Sequence, residues 1–249
     1  VRIKHFNRYE LKYVLNTDQY KQVVKGLANY VVPDAYGDSV GRYLVTSLYY
    51  DTLDYKSYWD KIDGQRFRRK VRIRVYGDQV VMPHTPCFAE IKQRINRTLQ
   101  KKRTKIPYSA AAALCGSGEG LDRTSKTDQA VIQEVQYLHH TLQLQPACVV
   151  SYDRQAFNGA EYDPGLRITF DTNLKCRTHE LTLESQSYVE NQYFVPPQWC
   201  VMEIKVNDRV PYWLTEVVNK YRCTLRRISK YCRALEKSQV LLKHQRIAF

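Results

Sequence analysis

The sequence predicts an α+β chain built on an antiparallel β-barrel, with a charged interior and helices outside. Three observations carry this expectation. Several strand-like segments give one face almost wholly to Arg, Lys and Glu, their opposite faces are apolar or aromatic, and short amphipathic helices lie between them. In a flat sheet the charged faces would meet water, yet like charges side by side repel, and these faces are short of the Ser, Thr and Gln usual on a solvated surface. A closed barrel reverses the arrangement, with apolar residues outside and polar ones within.

Residues 6–15, FNRYELKYVL, alternate Arg8, Glu10 and Lys12 with Tyr9, Leu11 and Tyr13, a strand with a charged face. Residues 18–29 follow as an amphipathic helix, capped by Thr17, with Tyr20, Val23, Val24 and Leu27 as its stripe. Residues 42–51 return to strand, and 54–60 form a brief helix before the Asp63-Gly64 turn. In 65–76, Arg68, Lys70, Arg72 and Arg74 share one parity, while Phe67, Arg69, Val71, Ile73 and Val75 share the other. After a Pro-containing loop, residues 88–94 repeat the pattern with Glu90, Lys92 and Arg94 together.

Residues 101–105 read as a basic loop or strand end, 109–115 as a short Ala-rich helix, 116–120 as a flexible link and 127–142 as a helix. In the strand-like stretch 147–157, Tyr152 and Arg154 share a parity; in 166–171, after the Pro164-Gly165 turn, Arg167, Thr169 and Asp171 share a face. Residues 198–206 read as a strand carrying Glu203 and Lys205. Pro211 opens a helix reaching 221. A last helix over 226–235 would carry Ser229 and Lys230 to the barrel mouth. With no internal repeat or low-complexity tract, one domain over 1–249 is expected.

The formal net charge is +14, and many of the cations sit inside alternating segments rather than in a solvated tail. Arginines crowded into one interior are destabilising unless anions and carboxylates meet them. Arg suits phosphate because its planar fork gives two directed hydrogen bonds. The interior therefore reads as a phosphate site, in which carboxylates would hold a divalent metal against the phosphates. Duplex nucleic acid would not enter such a tunnel, and base-reading positions are not identifiable. Neither a Walker loop nor a Gly-rich dinucleotide loop is present. The six histidines show no HExxH pair, and the seven cysteines show no CxxC spacing. They read as reduced thiols in a cytoplasmic domain. No membrane-length apolar run appears, so membrane or regulatory partners would lie outside this stretch, on the cytoplasmic face of a membrane if the chain is part of a larger protein.

The motifs RYELKY at 8–13, SLYYDT at 47–52, KVRIRVY at 70–76, EIK at 90–92, SYDRQAF at 151–157, RITFD at 167–171, MEIK at 202–205 and ISKY at 228–231 resemble the catalytic domain of the vacuolar transporter chaperone (VTC) family. That family belongs to the triphosphate tunnel (CYTH-like) superfamily. The likeness runs over about 6–236 and is greatest to compact bacterial members. It implies an eight-stranded tunnel in which a divalent metal, Mn²⁺ or Mg²⁺, assists an ATP-dependent polyphosphate polymerase. Such an enzyme transfers the γ-phosphoryl group to a growing chain and releases ADP; polyphosphate or pyrophosphate would be its other partner.

On matching positions the resemblance implies that Lys12, Arg72, Arg74, Lys92, Arg154 and Arg167 grip the triphosphate and product. Tyr152 and Ser229 would bond phosphate oxygens, Lys230 would approach from the last helix, and Lys205 would be a lesser phosphate ligand. Glu203 matches the metal-binding carboxylate. Glu10 and Glu90 would either assist the metal or orient neighbouring cations as ion-pair partners. Tyr9, Tyr13, Tyr49, Phe157 and Phe170 read as packing residues. Many superfamily triphosphatases and cyclases begin with ExExK, whereas here Arg8 stands at the first acidic position. That departure favours polymerisation over hydrolysis. The alternatives are a metal-dependent inorganic or nucleoside triphosphatase and a non-catalytic polyphosphate or inositol-phosphate binding module.

Overall fold

The computed structural model describes residues 8–96, 98–121, 125–184, 191–207 and 209–241. In chain order the elements are β1 (Arg8–Asn16), α1 (Thr17–Leu27), β2 (Val31–Pro33), β3 (Arg42–Asp51), α2 (Lys56–Ile62), β4 (Phe67–Tyr76), β5 (Pro86–Ile95) and β6 (Thr98–Pro107). There follow α3 (Tyr108–Gly116), α4 (Lys126–Leu142), β7 (Gln145–Gly159), β8 (Arg167–Arg177), β9 (Gln192–Tyr193), β10 (Trp199–Asn207), α5 (Tyr212–Lys220), β11 (Thr224–Leu225) and α6 (Lys230–Lys237).

The fold is α+β, but the eight-stranded barrel expected from the sequence is not formed. The described strands make one open sheet of eleven, in the order β11-β1-β10-β8-β7-β3-β4-β5-β6, with β2 added to β7 and β9 to β8. The order ends on two different strands, and their character explains why neither recruits the other. β11 offers a ladder of only two residues, whereas β6 lines an edge with exposed Lys101, Lys102, Arg103 and Lys105. Charged side chains on an edge strand discourage further pairing.

The chain divides into two compact units, each drawn from three stretches of sequence. The first comprises residues 1–44, 152–174 and 195–228. Here β1 pairs with β10 along its whole length, and β10 with β8. The register places Lys12 opposite Glu203 and Glu203 opposite Thr169. Because successive residues of a strand face opposite sides, the charged residues gather on one face. Leu15, Met202, Ile204, Ile168 and Phe170 gather on the other, in a core completed by Val23 and Leu27 of α1 and Leu214 and Val218 of α5. The cap of α1 is Asn16, one residue earlier than expected. Its side chain accepts from the Gln19 amide at 2.8 Å while the Gln19 side chain accepts from the Asn16 amide at 3.0 Å, a reciprocal capping box.

The second unit comprises residues 45–151, 175–194 and 229–249. Across β4 and β5 the register sets Arg72 opposite Glu90 and Arg74 opposite Phe88, and β6 continues it with Arg103 opposite Glu90. The reverse face presents Val71, Ile73, Ala89, Ile91 and Ile106 to Ala111 and Leu114 of α3 and Val131, Ile132, Val135 and Leu138 of α4. The stretch 101–105, left between loop and strand by the sequence, is the middle of the ten-residue β6. Helix α6 starts at Lys230 rather than 226, with the Ser229 hydroxyl accepting from the Cys232 amide. Its Tyr231 hydroxyl donates to Oδ2 of Asp51 at 2.5 Å, and Oδ1 of Asp51 accepts from the amides of Thr52 and Ser57, both at 2.8 Å. Among the described residues, no helix is long and apolar enough to cross a membrane.

Candidate functional site

In the first unit the sheet register converges two carboxylates on one ammonium. Nζ of Lys12 lies 3.0 Å from Glu10 Oε1 and 3.2 Å from Glu203 Oε1, and it also donates to the Ile228 carbonyl at 3.4 Å. Lys205 Nζ stands 3.7 Å from Glu203 Oε2. Burial lowers the Lys205 pKa, with Glu203 and Glu10 acting against that shift. Beside them, Arg154 forks onto Asp171, Nε to Oδ1 at 2.7 Å and Nη2 to Oδ2 at 2.9 Å, and Nη2 reaches the Tyr152 hydroxyl at 3.4 Å. Burial opposes the charge on Arg154, but Asp171 outweighs it and raises the pKa well above the usual guanidinium value. Arg167 donates to Asp34, to the Tyr43 hydroxyl at 3.0 Å and to Asn158 at 3.1 Å. The Thr169 hydroxyl, opposite Glu203 in the register and buried, makes no hydrogen bond among the described residues.

The second unit builds its own cationic face. Arg72 donates through Nε to Glu90 Oε2 at 2.7 Å, and its Nη1 donates to the Tyr49 hydroxyl at 3.0 Å. Arg74 Nε donates to Ser47 at 2.9 Å. Lys101 Nζ lies 3.6 Å from the other Glu90 oxygen. Burial alone would raise the Glu90 pKa, but Arg72, Arg74 and Lys101 hold it at about 2. For Tyr49 burial is again overcome, here by Arg72, Arg74 and Lys230, and the phenol falls to about 8. Lys70 Nζ sits 3.5 Å from both Ser229 Oγ and Cys232 Sγ and 4.6 Å from the centre of the Tyr231 ring. Against the one carboxylate of Glu90, this face of β4–β6 carries Lys70, Arg72, Arg74, Lys92, Lys101 and Arg103. Such an excess of positive charge attracts a polyanion.

The expected site residues thus fall into two groups. Glu10, Lys12, Tyr152, Arg154, Arg167, Glu203 and Lys205 belong to the first unit; Arg72, Arg74, Glu90, Lys92, Ser229 and Lys230 belong to the second. Three participants were not singled out from the sequence. Asp171 and Asp34 hold the two first-unit arginines, and Tyr49, taken there for a packing residue, turns its hydroxyl to Arg72. Parity was the available signal for Asp171, which shares a face with Arg167, whereas the placement of Tyr49 opposite Arg72 comes only from the pairing of β3 with β4. Asp34 follows a proline in a short connection and has no such signature.

The residues present fit a hard divalent cation in part. Among the described residues no three His, Cys, Asp or Glu side chains form a metal-sized group. Glu10 and Glu203 nevertheless already converge on one positive charge, that of Lys12. A cation of the Mg²⁺ type commonly takes one or two carboxylates and completes its shell with substrate phosphates and water, and this pair meets that requirement.

The model of the VTC domain matches residues 7–239, nearly the whole chain. The chain belongs to the VTC domain family. No curated protein matches it significantly. Among solved structures, this VTC domain resembles a putative adenylyl cyclase from Hippeastrum, described as having a dominant triphosphatase activity. The identity is 11%, the TM-score is 0.52, and the match covers 95% of this chain and 98% of that one. It also resembles a putative adenylate cyclase from Bacillus halodurans at 13% identity and TM-score 0.51, over 88% of this chain and 92% of that one. At those identities the likeness is one of fold. At the level its family supports, the VTC domain is a phosphate-handling enzyme.

Proposed function

We propose that this VTC domain cleaves the terminal phosphoanhydride bond of a triphosphate, with water as the acceptor. The observation that carries the proposal is the Lys12 ammonium set between Glu10 and Glu203, a carboxylate pair beside the rigidly held Arg154. Phosphoryl transfer asks little covalent chemistry of a protein. It asks for positioning and for neutralisation of charge on the transferred group. Arg154, oriented by Asp171, and Arg167, oriented by Asp34, would present fixed donors to phosphate oxygens. Glu10 and Glu203 would hold a divalent cation, which when bound supplies Lewis-acid stabilisation of the phosphates. Lys12 would then shift its ammonium from the carboxylates to the substrate. The triphosphatase activity described for the Hippeastrum protein supports this reading by analogy of fold.

A second reading has its own support. The cations of β4–β6 outnumber Glu90 by more than a single triphosphate needs, and such a face would retain a longer phosphate chain. In that case the acceptor is the terminal oxyanion of polyphosphate and the reaction is polymerisation. Purified protein incubated with ATP labelled at the γ-phosphorus and Mn²⁺ or Mg²⁺ separates the readings. Labelled orthophosphate alone supports hydrolysis. Long labelled chains with ADP replace hydrolysis by polymerisation, and binding without turnover under either metal leaves only a phosphate-binding module.

A further inference from the structure

A polar group withdrawn from water costs free energy unless another group meets it, so a buried side chain without a hydrogen bond calls for an explanation. Thr169 of β8 is such a residue. It is 1% exposed, and its Oγ1 has no hydrogen-bond partner among the described residues. In the register of β10 with β8 it stands directly opposite Glu203, and it lies between Arg167 and Asp171 at the same parity along β8. Thr169 is therefore on the charged face of the first unit, while its neighbours Ile168 and Phe170 enter the apolar core behind. Glu203 leans the other way. Its Oε1 lies 3.2 Å from Lys12 of β1, and its Oε2 lies 3.7 Å from Lys205 of its own strand. β1 and β8 flank β10 on opposite sides, so the pull of Lys12 is away from Thr169.

We infer that Thr169 is a positioning residue for Glu203: when the Lys12 ammonium gives way, the Thr169 hydroxyl donates to the Glu203 carboxylate and holds it in the orientation that receives a divalent cation. The inference rests on the triphosphate-cleaving reading and adds what replaces Lys12 at Glu203 once that side chain has turned to a phosphate. Directly opposed residues of an antiparallel pair have β-carbons about 5 Å apart, so rotation of the Glu203 side chain brings a carboxylate oxygen within reach of the hydroxyl. A neutral donor suits this task better than an ammonium. It fixes the carboxylate, as the outer partners of metal ligands do, without cancelling the charge that attracts the cation. The hydroxyl is left without a partner in one state so that it can donate in the other, which accounts for a group that otherwise only destabilises the fold.

The test measures Mn²⁺ binding directly, from the electron paramagnetic resonance signal of the free ion, and urea unfolding of the same proteins without metal. Thr169→Val keeps nearly the shape of threonine and loses the hydroxyl, whereas Thr169→Ser keeps the hydroxyl. Thr104→Val is the control. The Thr104 hydroxyl is also buried without a partner among the described residues, but it lies in the second unit, opposite the core residue Ala89. Thr169→Val should bind Mn²⁺ about tenfold more weakly, the scale of losing a group that orients a metal ligand. Its urea midpoint should stay the same or rise, because an unmet hydroxyl has gone. Thr169→Ser should keep wild-type binding, and Thr104→Val should leave Mn²⁺ binding unchanged. A merely structural role gives the reverse, a lowered urea midpoint with binding intact. Equal Mn²⁺ binding by wild type and Thr169→Val, or a Thr169→Val protein less stable than wild type, overturns the inference and leaves the cleavage reading standing. A wild type that holds no Mn²⁺ overturns cation-assisted cleavage and the inference together.

Discussion

Arg154 and Asp171 meet as a bidentate pair, Nε to Oδ1 at 2.7 Å and Nη2 to Oδ2 at 2.9 Å, with both residues buried. Two charges taken from water in this way are tolerated only because each completes the other. Replacing Asp171 with Ala would strand a guanidinium and is expected to cost roughly 3–5 kcal/mol, read as a lowered urea midpoint. Arg154→Lys keeps the charge but loses the fork, so it should lower activity far more than stability. If Arg154 is purely structural, urea midpoint and activity will fall together.

Glu10 and Glu203 are the carboxylates proposed to hold a cation. Chelation should abolish turnover and added Mg²⁺ or Mn²⁺ restore it. Glu203→Gln keeps the shape while removing charge, and should raise the metal concentration for half-maximal activity by about tenfold or more, the scale of losing a metal-site partner. An unchanged metal requirement in both Glu203→Gln and Glu10→Gln would remove the pair from the metal site.

Tyr49 should titrate at an unusually low pH. Its phenol sits at about 8, below the usual 10, because Arg72, Arg74 and Lys230 outweigh its burial. The tyrosinate absorbance near 295 nm is expected to rise by one residue's worth around pH 8 and to disappear in Tyr49→Phe. A bound polyphosphate neutralises those cations, so saturating tripolyphosphate should move this titration back upward. No movement would place the anion elsewhere than beside Arg72.

Glu90 sets an acid limit on stability. Its carboxyl falls from the ordinary 4.5 to about 2 in the folded protein, so the folded state binds fewer protons than the unfolded state between those values. Stability from this group is fully present above pH 4.5 and is lost as pH falls toward 2. Denaturation followed from pH 6 to 2 should show that loss, and Glu90→Gln should flatten the slope in this window while lowering stability at neutral pH.

Which faces of the strands are charged was legible in the sequence, because alternation with period two needs no knowledge of the partner strand. The strand over 42–51 was legible to its ends for a related reason: β-branched and aromatic residues fill it. β6 was obscured because Lys101, Lys102, Arg103 and Lys105 carry charge on both parities and erase the alternation. Closure of the sheet was not legible at all. It depends on whether two strands far apart in sequence pair along their edges, and neither the two residues of β11 nor the charged edge of β6 announces that outcome locally. At the candidate site, the cations were visible as a pattern. Asp34, which orients Arg167, was not, since its role arises only when residues 34 and 167 are brought together by the fold.

The bond from Tyr231 to Asp51 spans 180 residues of chain. During synthesis the strands carrying Arg72, Arg74, Lys92 and Lys101 are complete long before residue 231 leaves the ribosome, and throughout that interval the Asp51 carboxylate lacks the phenol that closes its shell. A chain cut short before α6 therefore has its cationic strands made and the Tyr231 partner of Asp51 missing. Contacts of such long range slow folding and favour intermediates, so the second unit can settle only once residue 231 has been made.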